Sequence, residues 1–243
     1  MLEIKNLFCH YGKRCVLENI NLSFEEGKFY AVIGKNSSGK STLINCISGV
    51  KEYEGSIVCD GRDLKSISDK ERAETISCLY QNAAQSSFTV REMCAFGRSA
   101  FRDEKAERES RVDRALEKAG ISHLARRRAC EVSGGERQLC YFAMNLCQDA
   151  HILLLDEPTS NLDAEHEALL LSAAKGMCCE GKTVICVIHN LSRAIKYADN
   201  VVVIDGGKCV FSGRKEECLE KNVIEKNFGV KKYAVNDEIF FAV

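Results

Sequence analysis

The chain has 243 residues, 45% of them hydrophobic and 28% charged, enough for one or two domains with a sizeable core. Its 34 Lys and Arg against 35 Asp and Glu leave a formal charge of −1, which removes the electrostatic case for nucleic acid as a main partner. No apolar stretch approaches the ~18 residues a membrane span needs, and the start MLEIKNLF lacks the charged and apolar regions of a signal peptide, so an intracellular protein, soluble by itself, is expected.

Leu2 to Phe8 and Val16 to Phe24 tend to alternate apolar and polar residues, as strands of a half-exposed antiparallel sheet do. Phe29 to Ile33 (FYAVI) is instead continuously apolar, the pattern of a strand buried on both faces. It runs into GKNSSGKST, where Gly34, Lys35, Asn36, Ser37, Ser38 and Gly39 form a loop before a helix predicted over Lys40 to Ser48. The amides of such a loop point at an anion, and the open helix N-terminus adds roughly half a positive charge. Lys40 is placed to reach the β- and γ-phosphates of ATP, Ser41 to ligand Mg²⁺, and Thr42 closes the grip.

A further apolar strand, Ile76 to Tyr80, ends at Gln81. From residue 88 the chain changes character. Asp103 to Ile121 carries Ala106, Val112, Leu116 and Ala119 amid charges, which predicts an amphipathic helix. Arg126-Arg127-Arg128 reads as a solvated face. Ser133, Gly134, Gly135 and Glu136 then open a second helix, ERQLCYFAMNLCQ, whose N-terminus can also hold an anion. Strands return at 151–155, 183–188 and 200–205, separated by helical patterns at 164–178 and 191–197, which gives an α/β fold around a mostly parallel sheet with a helical insertion. The strand Ile152 to Leu155 delivers Asp156 and Glu157. A carboxylate there costs several kcal/mol unless paired or coordinated, and Mg²⁺ shared with Ser41 would offset that. Glu157 is then the candidate general base for the attacking water. None of the 14 cysteines lie three residues apart, which excludes zinc-ribbon and thioredoxin-like motifs and leaves Cys46, Cys186 and the others as reduced, small core residues.

In order and spacing these elements resemble the ATP-binding-cassette ATPases along nearly the whole chain. Val132-Ser133-Gly134-Gly135-Glu136 is similar to the family signature and Ser160-Asn161-Leu162-Asp163 to its D-loop. Gln81 matches the Q-loop glutamine, His189 the switch histidine, and Tyr11 the aromatic residue that stacks on adenine. The resemblance implies a phosphate-loop NTPase with a mostly parallel core sheet, an N-terminal antiparallel β subdomain and a helical insertion subdomain. Residues 88–148 would be the helical signature part, and 1–87 with 149–243 the catalytic lobe, of a single ATPase domain.

The resemblance also implies a head-to-tail dimer, with each ATP between Lys40 of one copy and Ser133, Gly134 and Gly135 of the other. His189 would hold the γ-phosphate and attacking water, and Gln81 would sense Mg²⁺ and couple to separate transmembrane permease subunits at the inner face of the membrane. A substrate-binding protein would act only indirectly.

SSFTVREMCAFGRSAF (Ser86 to Phe101), the lead-in from Gly61 to Gln81, AGISHLARR and NFGV look like the importers of iron-siderophores, haem and cobalamin, so uptake of a metal chelate is expected. The proline usual after Gly97-Arg98 is absent, Ser37 replaces a glycine and Val132 a leucine. Cobalamin or another metal as cargo is the alternative, along with a non-transport ATPase. A chromosome-maintenance ATPase would need a long coiled coil between the two grips, and a translation-type protein normally has two cassettes.

Overall fold

The computed structural model describes residues 1–81, 84–160, 162–236 and 238–242. Asn161, assigned to the D-loop from sequence, lies outside them. Strands β1 (Leu2–Tyr11) and β2 (Arg14–Phe24) form an antiparallel hairpin, followed by β3 (Phe29–Ile33) and helix α1 (Lys40–Ser48). Then come β4 (Glu54–Cys59), β5 (Arg62–Asp63), α2 (Asp69–Thr75) and β6 (Ile76–Leu79). The helical part contains α3 (Val90–Phe96), α4 (Lys105–Lys118) and α5 (Gly134–Gln148). The chain returns through β7 (Ile152–Asp156), α6 (Ala164–Cys179), β8 (Thr183–Val187), α7 (Leu191–Tyr197), β9 (Asn200–Asp205) and β10 (Lys208–Arg214). It finishes with α8 (Lys215–Glu220), α9 (Val223–Phe228) and a hairpin of β11 (Lys231–Val235) and β12 (Glu238–Ala242).

The central sheet has the order β10-β9-β3-β8-β7-β6, with parallel pairing from β9 to β6 and β10 antiparallel at the edge. A second, antiparallel sheet has the order β2-β1-β4-β5. The continuous apolar runs are explained by cover on both faces of the central sheet. In β3, Phe29, Ala31 and Ile33 pack toward α5, α6 and α7, whereas Tyr30 and Val32 pack toward α1 and the antiparallel sheet. Leu153 and Leu155 against Ile152 and Leu154 repeat this in β7, so strand alternation distributes one apolar run over two cores.

Two short helices, α2 and α3, are not anticipated by apolar periodicity, yet each begins with a capping box, Ser68 with Glu71 and Thr89 with Glu92. Where α3 ends, a Cβ on Gly97 would stand 2.2 Å from the Met144 carbonyl oxygen, so only glycine lets α3 meet α5 this closely. Arg98, next in sequence, is buried and holds Asp103 through Nε–Oδ2 (2.6 Å) and Nη2–Oδ1 (2.8 Å), while Nη1 donates to the Gln148 carbonyl at 2.8 Å. Its guanidinium also lies 3.5 Å from the Phe101 ring centroid.

The thiols are all free, and most are buried, Cys46 and Cys186 fully so. Burial pushes Cys140 and Cys218 up to about 12 and Cys186 well above its ordinary value, so these groups stay protonated and inert. The run Arg126-Arg127-Arg128 is exposed.

A phosphate loop, a carboxylate pair and a detached signature

A cavity of about 490 Å³ opens beside the N-terminus of α1, lined by Tyr11, Arg14, Val16, residues 36–42, Glu157 and His189. Gly39 at φ 109° allows the loop to turn into α1, where an added Cβ would also meet the Leu17 side chain at 2.6 Å. Lys40 is buried beneath the loop, and its Nζ donates to the carbonyls of Gly34 and Lys35, both at 2.9 Å. Desolvation lowers the Lys40 ammonium's pKa, an effect opposed by the charges of Glu157 and Asp156. Ser38 Oγ is buried without a partner among the described residues, a polar atom pointing to an unmet hydrogen bond in the cradle.

Ser37 adopts φ 60° in the loop, the left-handed region that a side chain disfavours by about 1 kcal/mol. Ser37→Gly is therefore expected to raise the melting temperature by about 2 °C in differential scanning calorimetry. A fall in melting temperature would contradict the strain argument.

The two acids of the pair have different surroundings. Ser41 Oγ donates to Asp156 Oδ1 at 2.9 Å, joining the end of β7 to the first turn of α1. Burial raises the Asp156 carboxyl above its usual pKa despite that bond, with the Glu157 charge adding to the rise. Next to it Glu157 turns out at φ 51° and receives two neighbours. Gln81 Nε2 donates to its Oε2 at 2.8 Å, and His189 Nε2 lies 2.5 Å from its Oε1. Strand ends supply these groups: β6 delivers Gln81, β7 the two acids, and β8 His189, all at the same edge of parallel strands. At the other end of the cavity Tyr11 is exposed, with Lys51 Nζ 4.3 Å from its ring centroid.

Ser133, Gly134, Gly135 and Glu136 stand apart from this cavity's lining. Ser133 caps α5, its Oγ accepting the Glu136 amide at 3.2 Å, while Glu136 Oε2 accepts the Ser133 amide at 2.7 Å. Ser133 and Gly134 remain exposed and take no part in lining the cavity beside the phosphate loop of their own chain. Sequence reasoning missed Arg14 and Val16 on the cavity wall. The signal for them was the two-residue turn Gly12-Lys13, which sets Arg14 opposite Tyr11.

Residues 17–160 match the family model described as ABC transporter. The ferric enterobactin transport ATP-binding protein FepC of Escherichia coli (strain K12) is 36% identical over 98% of this chain and 90% of its own length. The hemin import ATP-binding protein HmuV of Chelativorans sp. (strain BNC1) is 35% identical over 94% of this chain and 91% of its own. The dimeric structure of MJ0796, a bacterial ABC transporter cassette, superposes with a TM-score of 0.81 at 26% identity, over 88% of this chain and 99% of that one. With the cassette fold, the phosphate loop and these matches in place, the chain belongs to the ABC transporter family, as an ATP-binding, ATP-hydrolysing cassette.

Proposed function

We propose that this cassette energises an importer of a metal chelate, an iron-siderophore or haem, through separate transmembrane permease subunits. The observation that carries the ATPase half is the meeting of Gln81 and His189 on Glu157 beside the phosphate loop. The cargo rests on the similarity to a ferric enterobactin transport protein and a hemin import protein, each matched over nine-tenths of its length. Among the described residues no helix is long and apolar enough to cross a membrane. In this reading the chain sits on the inner face of the membrane through its permease, residues 88–148 form the helical signature subdomain, and 1–87 with 149–243 form the catalytic lobe. The exposed, edge-to-face pair Phe88 and Phe96, with ring centroids 4.9 Å apart, offers the permease an apolar seat.

ATP lies with its base on Tyr11 and its phosphates in the amide cradle of residues 34–42, where Lys40 faces the β- and γ-phosphates. Ser41 and Asp156 suit Mg²⁺, because a buried carboxylate with one hydroxyl partner gains from an adjacent cation. Once bound, that ion neutralises phosphate charge. Glu157 takes the proton of the attacking water, while His189 and Gln81 fix the carboxylate and the water around the γ-phosphate. Ser133, Gly134 and Gly135 of a second copy close the site, since this chain leaves its own signature exposed and away from its own cavity. The dimer of MJ0796 supports that arrangement.

Deleting the gene and measuring uptake of radiolabelled ferric siderophore, haem and cobalamin tests the cargo. Loss of ferric siderophore or haem uptake, restored by the parent gene and not by a Glu157→Gln copy, is the expected result. Normal uptake of both, with loss of cobalamin or an unrelated solute, would remove the iron assignment.

A further inference from the structure

Arg14 lines the nucleotide cavity and is exposed, and its side chain has no hydrogen bond or ion pair among the described residues. An unpaired guanidinium at the wall of an anion-binding cavity is chemically unspent, because its planar fork of donors is pre-organised and always charged. Its place along the cavity follows from strand geometry. A Cβ on Gly39 would stand 3.2 Å from the Val16 carbonyl oxygen, so Val16 borders the phosphate loop, at a shift in the β1–β2 register. Arg14 is two residues nearer the hairpin turn, past that irregularity in β2. There it is the direct cross-strand partner of Tyr11 in the hairpin register. Cross-strand neighbours lie about 5 Å apart at Cβ, so the two side chains serve the same part of a bound molecule. Lys51 covers one face of the Tyr11 ring, which leaves a single face for a base.

From this placement we infer that Arg14 is a second nucleoside-binding residue, gripping the base and ribose of ATP opposite Tyr11 and distant from the phosphates held by Lys40. The inference rests on the reading of Tyr11 as the base platform. The guanidinium donates to base-edge and ribose oxygen or nitrogen acceptors and packs flat along the base, which adds affinity for any adenine nucleotide whatever its phosphate count. Arg14 thereby distinguishes nucleotides from bare polyphosphate, a discrimination Lys40 cannot make.

Calorimetric titration of the full chain in EDTA, with ATP, ADP and inorganic tripolyphosphate, tests this. Arg14→Gln is expected to weaken ATP and ADP alike by about tenfold and to leave tripolyphosphate binding within about twofold. An unchanged melting temperature would show that this exposed, unpartnered position leaves the fold intact. Equal losses on ATP and tripolyphosphate, or no loss on either nucleotide, overturn the assignment. Tyr11→Ala, titrated in parallel, separates the two readings. If it weakens ATP while Arg14→Gln does not, Arg14 alone is excluded. If it leaves ATP affinity unchanged, the base platform falls and this inference falls with it.

Discussion

Glu157→Gln is expected to lower steady-state ATP turnover by about 10²- to 10⁴-fold, the range of general-base catalysis, while ATP binding persists. The amide keeps the shape of the carboxylate beside Gln81 and His189 but cannot take a proton from water. Phosphate-loop contacts through Lys40 and residues 36–42 are untouched, so nucleotide still enters and two copies accumulate in the closed, ATP-bound state. Size-exclusion chromatography with and without ATP reads this as a dimer that appears only with nucleotide. A variant that hydrolyses ATP at the parental rate, or that stays monomeric with ATP, would take the general-base role away from Glu157.

Arg98→Ala should be strongly destabilising although it lies outside the site. It removes a buried guanidinium that pairs bidentately with Asp103 and bonds the carbonyl at the end of α5, leaving a largely buried carboxylate without its cation. Breaking such a pair costs about 3–5 kcal/mol, which lowers the melting temperature by about 10 °C in a chain of this size. Hydrogen bonds from Arg98 hold the Asp103 carboxyl below its usual pKa. A depressed folded-state value means that the pair contributes above the unfolded pKa of about 3.9 and loses that contribution as pH falls through the folded one. The gap between parent and variant should therefore narrow below about pH 4. A gap that stays constant there, or a melting temperature within 1–2 °C of the parent's, would show that the pair is not what anchors α3 to α5.

The residues Gly97 and Arg98 illustrate what was legible. As letters they mark a resemblance to metal-chelate importers; in the fold they are a close helix contact and a buried ion pair, neither of which periodicity can show. The central strands were readable because burial on both faces leaves an unbroken apolar run, as at Phe29 to Ile33 and Ile152 to Leu155. Short, capped helices such as α2 and α3 carry too few apolar positions for a period, and their signal was the Ser or Thr with Glu three residues on. The C-terminal hairpin was missed because β11 is exposed throughout and so lacks a buried face to pattern it. In the site, the phosphate loop and the acids could be read from local sequence. That Gln81, Glu157 and His189 meet is a property of strand order, which only the topology supplies.

Both oxygens of the Glu157 carboxylate are engaged by side chains of its own chain. Each oxygen keeps a second acceptor site, so water can still reach the group while Gln81 and His189 hold its orientation. Gln81 ends the segment following β6, on the way to the exposed Phe88 and Phe96. Through that one hydrogen bond the chain just after β6 is tied to the acid itself, so the position of Gln81 and the orientation of Glu157 are set together.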